Sequence, residues 1–390
     1  MSSDVVQVDE KTLDTLLKKS QTSDFSTFTF FDIQPLIPAF TYPLSSIIRS
    51  KAYVLLSAIC QKAHAKGKNS RNEGLVDLFG PLVADSLAET NDFSLRIGIC
   101  TLYALFQVDW EIAVAVISRD GVMENIIEGI DLSRSSELFE DVAHLLGQAS
   151  SHKNSRQLIS TQAVQWLEAK SQQSSNPTLR AAAAVALIKH LRGVAADASE
   201  VTTSETSSSV DQENSLVDMM KGLVLSKVQA SLPDAIEGLA YLSTRPEIKE
   251  TLSSDTKFLR QLFSIIPQKK PSASPSEQAT ESALAYGALV IVSNLCAYRP
   301  RLSEEQAQME KLKRMAQAAK QSVNSSDASA LESNEQVSVR VRRVIDAGGL
   351  SVIGAVLSVS DSLAVRLQLG KTISSLVEDK ENRGKELQSG

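Results

Sequence analysis

The side chains able to do chemistry in this chain are few and scattered. Its four histidines, His64, His144, His152 and His190, lie far apart. No two of them sit at the i, i+4 spacing that aims a pair of ring nitrogens from one helix face at a metal. His144 falls on an amphipathic helix pattern and reads as packed structure. Three cysteines, Cys60, Cys100 and Cys296, are odd in number and never paired as C-x-x-C. They are expected to be buried structural thiols in a reducing compartment. The glycine-rich loops that cradle phosphates and the strand-turn-helix serine elbow of hydrolases are absent. Carboxylates are many, but none stands out as a pair from ordinary solvated helix faces. The chain therefore reads as a non-enzyme, with no catalytic, cofactor-binding or metal residue expected.

Four polar residues are candidates for holding a partner instead. Asn294 interrupts an apolar helix within SNLCAY. Facing outward it would hold the backbone of an extended peptide; facing inward it would satisfy a buried turn. Arg340, Arg342 and Arg343 form a basic cluster, either one solvated helix face or a contact for an acidic partner surface. The place equivalent to Asn294 in the last repeat is near Ser375, and Trp110 and Trp166 are the two tryptophans. No ladder of asparagine and tryptophan is present, which weighs against a receptor for extended cargo peptides.

The elements that must position these residues are helices. Of 390 residues, 43% are hydrophobic and only 5% aromatic, which favours helices of Leu, Ala, Val and Ile over a β-sandwich or barrel. The net charge of -6 argues against a nucleic-acid binder. No leader of basic-then-apolar order and no bilayer-spanning run is visible, so a cytoplasmic protein without a membrane partner is expected. The run Ala283–Tyr298 is apolar on nearly every face, as a helix buried among others would be.

Two stretches, one from Val116 and one from Val344, overlay on each other. Gly121 aligns with Gly349, Leu145 with Ile373, and Asn154 with Asn382. Each copy predicts a short helix ending at glycine, a medium helix, a turn with Ser and Asp, and a longer helix. Pro233 and Pro246 are placed as first helical residues, where a missing N–H costs nothing. Units of about 40 residues with two or three helices build armadillo and HEAT arrays. One unit cannot cover its own apolar face, so it stacks on its neighbours. The fold class is thus all-α, an armadillo/HEAT-like superhelix.

The expected organisation is an irregular N-terminal segment at 1–45, whose Phe25–Pro43 stretch packs on the first helices or offers a partner-binding motif. Central armadillo-like repeats follow at 46–197, then a disordered linker at 198–214. Core helices fill 215–320 with a linker at 267–280. A loop at 321–335 precedes a repeat at 336–390. The three linkers are rich in Ser and polar residues, with too little apolar surface to offset their ordering entropy.

Four strings carry a resemblance: AIEGLAYLSTRPEIKETL at 235–252, the stretch 286–317 containing SNLCAYRPRLSEEQ, RVRRVIDAGGLSVIGAVL at 340–357, and VEDKENRGKELQSG at 377–390. In wording, order and spacing they resemble the UCS family of myosin chaperones in its fungal form; residues 45–190 resemble that family's central armadillo domain more weakly. The resemblance implies a co-chaperone that binds the myosin motor domain and assists its folding or stability. It implies support for cytokinesis, endocytosis and polarised growth, and cooperation with the ninety-kilodalton heat-shock chaperone. It also implies a chain that stops before most of the family's C-terminal myosin-binding repeats. The competing expectation is a generic armadillo scaffold for another cytosolic protein or extended peptide.

Overall fold

Apolar residues spaced three and four apart become helices along the whole chain, and no strand occurs among the described residues. The computed structural model describes residues 8–43, 46–65, 68–172, 175–199, 207–226, 228–266, 275–299 and 330–378, with isolated positions from 303 to 312. The chain divides into two units, Met1–Glu205 and Thr206–Gly390.

In the first unit, Asp9 caps α1 (Glu10–Thr22) by accepting from the Lys11 amide. A short α2 (Phe30–Ile33) sits between two 3-10 turns, Phe25–Thr27 and Ile37–Thr41. Phe28, Ile33, Leu36 and Phe40 from this stretch are buried, so it packs on the helices as expected, while Phe31 stays 79% exposed. The unit continues with α3 (Ile47–His64), α4 (Lys68–Ala88), α5 (Asp92–Val108), α6 (Trp110–Ile117), α7 (Val122–Leu132), α8 (Ser136–Ala149), α9 (Lys153–Arg156), α10 (Thr161–Gln172) and α11 (Pro177–Ser199). The long helices α5, α8 and α11 form a row, with α8 packed on both of the others. Gly147 lets α8 approach α11, since a Cβ there would lie 3.5 Å from the Ala186 Cα.

The second unit holds α12 (Ser207–Ser226), α13 (Leu232–Leu242), α14 (Pro246–Ser254), α15 (Thr256–Ile265), α16 (Pro275–Leu295), α17 (Asn334–Asp346), α18 (Gly349–Val359) and α19 (Leu363–Leu376). Here α16 lies between α13 and α19, which is why its sequence is apolar on two opposite sides. Its Ala283 and Tyr286 are nevertheless exposed, so the expected burial on every face holds only in part. Pro246 is the first residue of α14, whereas Pro233 is the second residue of α13.

The two copies of the repeat agree in plan. Helices α7 and α18 have 11 residues each, and α8 and α19 have 14 each. The register differs from the expected one by a residue. Gly121 has φ +83° before α7, and its counterpart before α18 is Gly348 at φ +105° rather than Gly349. Only glycine adopts that left-handed geometry at little cost. Gly349 serves close packing instead, because a Cβ there would sit 2.9 Å from the Val344 carbonyl oxygen. Asn382 and most of the string 377–390 lie outside the described residues.

The linkers are shorter than composition suggests. Residues 207–214, expected as loop, form the start of α12, and Glu213 there accepts from Arg245 at 2.9 Å. Residues 275–280 likewise open α16. Ser333 caps α17 by accepting from the Gln336 amide, so the expected loop ends there. Residues 200–206, 267–274 and 321–329 lie outside the described residues.

Candidate partner-binding surface

Asn294 stands in the last turn of α16. Its Nδ2 donates to the Ala240 carbonyl at 3.1 Å and to the Ser243 Oγ at 3.0 Å. Both acceptors lie where α13 ends, a place where carbonyls lose their intrahelical partners. The side chain thus ties two helices of one row together, which is the inward of its two readings. Gly287, two turns earlier, makes the same crossing tight: a Cβ there would come within 2.5 Å of the Ile236 Cγ2.

The basic cluster does not form one face. Arg340 is fully buried, at 0% exposure, so its expected place on a solvated helix face is corrected. Its Nε donates to the Leu295 carbonyl at 3.0 Å and its Nη1 to the Leu331 carbonyl at 2.7 Å. One guanidinium therefore caps the C-terminus of α16 and holds the chain just before α17. Carboxylates accompany the buried charge: Glu332 lies 3.8 Å from its Nη2 and Glu250 lies 4.0 Å from its Nη1. Lys249 donates to Glu332 at 2.9 Å, and Arg343 donates to Glu250. Burial pulls the Arg340 guanidinium below its ordinary range, and the nearby Glu332 and Glu250 oppose that shift. The Cys296 thiol beside it is pushed up to about 12 by burial, with Arg340 acting the other way. Arg340 Nη2 and Glu250 Oε2 remain buried without a hydrogen-bond partner. Arg343 is half-buried in this network, and Arg342 is the member that stays exposed.

Sequence reasoning missed Arg340 as an internal clamp because its acceptors are backbone carbonyls of residues 45 and nine positions away. A usable signal did exist. Position 340 lies on the same face as Val337, Val341 and Val344, which are all buried.

The remaining polar residues also serve packing. His64 Nε2 pairs with Asp109 Oδ2 at 2.6 Å, and Asp109 caps α6 by accepting from the Ile112 amide. His152 stacks on Trp110 with ring centroids 4.6 Å apart. His144 lies beside Tyr103 at 6.1 Å. Arg156 is buried between the Ser150 carbonyl and Asp197, to which it donates from Nε and Nη2 at 3.1 and 2.9 Å. The three cysteines are free and buried. No group of His, Cys, Asp and Glu with metal-holding geometry occurs among the described residues, and no helix there is long and apolar enough to cross a membrane. What the described surface does offer a partner is apolar: Phe31 on α2, Leu132 on α7, and Leu357, Leu363 and Leu367 on α18 and α19 are all more than half exposed.

A family profile described as myosin-binding striated muscle assembly central, UNC45-central, matches residues 9–220, more than half of the chain. The fold is similar to that of an UNC-45 chaperone described by features critical for binding and folding muscle myosin, at 17% identity and TM-score 0.61. It is similar to C. elegans UNC-45, a myosin chaperone, in complex with a Hsp90 peptide, at 18% identity and TM-score 0.63. It is also similar to She4p, at 15% identity and TM-score 0.62. Each likeness covers 96% of this chain, but only 36%, 36% and 46% of those chains respectively, so this chain spans less than half their length. A search of curated proteins gives no match.

Proposed function

This chain belongs to the UCS family of myosin chaperones, and from that premise we propose that it is a non-enzymatic co-chaperone that binds the myosin motor domain and assists its folding or stability. The observation that carries the proposal is the match of the myosin-binding central profile over residues 9–220. The all-α architecture of rowed helices supports it, because such arrays present long surfaces to folded or partly folded clients. The internal use of histidine, cysteine and arginine side chains supports a binding role over a catalytic one. In this reading the protein works in the cytoplasm and serves actin-based processes such as cytokinesis, endocytosis and polarised growth. A link to the ninety-kilodalton heat-shock chaperone belongs to the same proposal. So does the division into central repeats at 46–197 and a first repeat of the myosin-binding part at 336–390.

The competing scaffold reading rests on Asn294 and the Arg340–Arg343 face as groups open to a partner; Asn294 Nδ2 is already engaged by Ala240 and Ser243, and Arg340 is buried. Of the four candidate residues, Arg342 keeps the exposure that contact with an acidic partner surface requires.

The test is co-precipitation of the purified chain with a recombinant myosin motor domain, alongside an unrelated helical-repeat protein. Retention of the motor by this chain alone is expected. Equal retention by the control, or none by either, would refute the proposal.

A further inference from the structure

The short helix α9 lies between α6 and α11 and is held there by basic side chains. His152, which precedes its first turn, lies flat on Trp110 of α6 with the ring planes 6° apart, and beside Phe106 of α5 at 6.0 Å. At the other end of the turn, the buried Arg156 donates from Nε and Nη2 to Asp197 of α11. Its Nη1 donates to the Ser150 carbonyl, where α8 ends. Gly193 of α11 makes room for the guanidinium, since an added Cβ there would collide with it. His190 stands one turn before Gly193, on the same side of α11. Its Nδ1 is buried without a hydrogen-bond partner, and so is the Ser150 Oγ. Two imidazoles thus accompany one buried guanidinium, and Asp197 is the one carboxylate bonded to it among the described residues.

The charge balance of this corner depends on neutral imidazoles. Burial, and then the Arg156 charge, hold both His152 and His190 below their ordinary 6.5. The Trp110 face attracts an imidazolium; burial and Arg156 act the other way, and the net direction is down. The elements packed here also carry Lys153 on α9, Asp109 and Glu111 at the start of α6, Glu168 and Lys170 on α10, and Lys189 and Arg192 on α11. Asp109 is engaged by His64. The carboxylates of α8 belong to the far end of α11, where Glu140 accepts from Thr178. Both nitrogens of a charged imidazole donate, and His190 Nδ1 has no acceptor within reach. Once the turn has left α6 and α11, the rings meet water and protonate near their ordinary 6.5. Acid therefore favours the open turn, by about tenfold per histidine for each pH unit below that value, until the closed turn takes up its own proton. Ser155 keeps α9 on α8 throughout, because its Oγ donates to the Ala149 carbonyl at 2.6 Å, a neutral bond that titration does not touch.

We propose that α9 is an acid-sensitive latch: with His152 and His190 neutral it bridges α6 and α11, and when they are protonated it lets go of both while the long helices stay folded. Release uncovers the stacked face of Trp110 and the Arg156 guanidinium, two kinds of group that anchor partners well. The latch is a property of the first unit and stands whether or not the chain binds myosin.

The test is amide hydrogen exchange of the whole chain, read by mass spectrometry at about pH 7.5 and about pH 5.5 and corrected for the intrinsic pH dependence of exchange. The peptide spanning α9 is expected to lose at least about tenfold in protection in acid, while peptides from α5 and α8 keep theirs. The double variant H152Q/H190Q should lose less than about twofold, and the single variants H152Q and H190Q should fall between. Where the double variant does not fold, the two single variants decide. Trp110 emission, isolated by Trp166→Phe, should change over the same pH window and stay flat once His152 is replaced by glutamine. Equal protection of α9 at both pH values would overturn the proposal. So would a loss shared by α5 and α8, which is global unfolding, or a loss of wild-type size in every glutamine variant.

Discussion

Arg340 is buried between the Leu295 and Leu331 carbonyls, with Glu332 and Glu250 beside it. Removing one partner of a buried charged network leaves the others desolvated and uncompensated, which costs about 3–5 kcal/mol. Arg340→Met should therefore lower the unfolding free energy by that order, read from urea denaturation, and an unchanged urea midpoint would contradict it. Asn294→Ala should cost roughly 1–2 kcal/mol, because it removes the Nδ2 donor shared by the Ser243 hydroxyl and the Ala240 carbonyl at the end of α13, and it should leave motor binding unchanged. Burial and the Arg156 charge hold the His190 imidazole below its ordinary 6.5. The unfolded chain then takes up that proton first as pH falls, so the stability present above 6.5 declines as pH drops through the window below it. His190→Gln should flatten the fall in Tm between pH 7 and pH 5. At this scale the sequence was read well for the cysteines, which are free and buried. It misplaced Arg340, because three nearby arginines suggest a charged face while burial depends on carbonyls remote in the chain.

Helices and their ends account for what was legible at the next scale. The medium and longer helices predicted after Gly121 became α7 and α8. The duplicated plan was visible too, but its register was not. Two adjacent glycines, Gly348 and Gly349, offered the same motif, and only backbone geometry tells which one takes the left-handed turn. That assignment has a direct check. Gly348→Ala should destabilise by about 1–2 kcal/mol, since an L side chain is strained at positive φ. Gly354→Ala, inside α18 and facing open space, should stabilise by about 1 kcal/mol. Equal urea midpoints for the two variants would contradict it. The linkers were overestimated in length because Ser and Glu are read as loop residues by composition, while Glu213 inside α12 is held by Arg245 from a distant part of the chain.

For the whole molecule, the fold class followed from composition and periodicity, and the all-α armadillo/HEAT-like superhelix agrees with the UNC-45 and She4p folds. Family membership rests on residues 9–220, whereas the strings that first suggested it lie mainly after residue 235. The two lines of inference therefore draw on different parts of the chain. Partner surfaces were the least legible feature, because an exposed leucine on α19 and a buried one have the same spacing in sequence, and only the presence or absence of a neighbouring helix separates them. The account's central claim is chaperone action on myosin, and it is tested most directly by light scattering from a myosin motor domain heated past its unfolding point. With this chain at equimolar concentration and no nucleotide added, scattering should fall severalfold below that of the motor alone, and an unrelated helical-repeat protein should leave it unchanged. Scattering that rises equally in all three samples would contradict the claim.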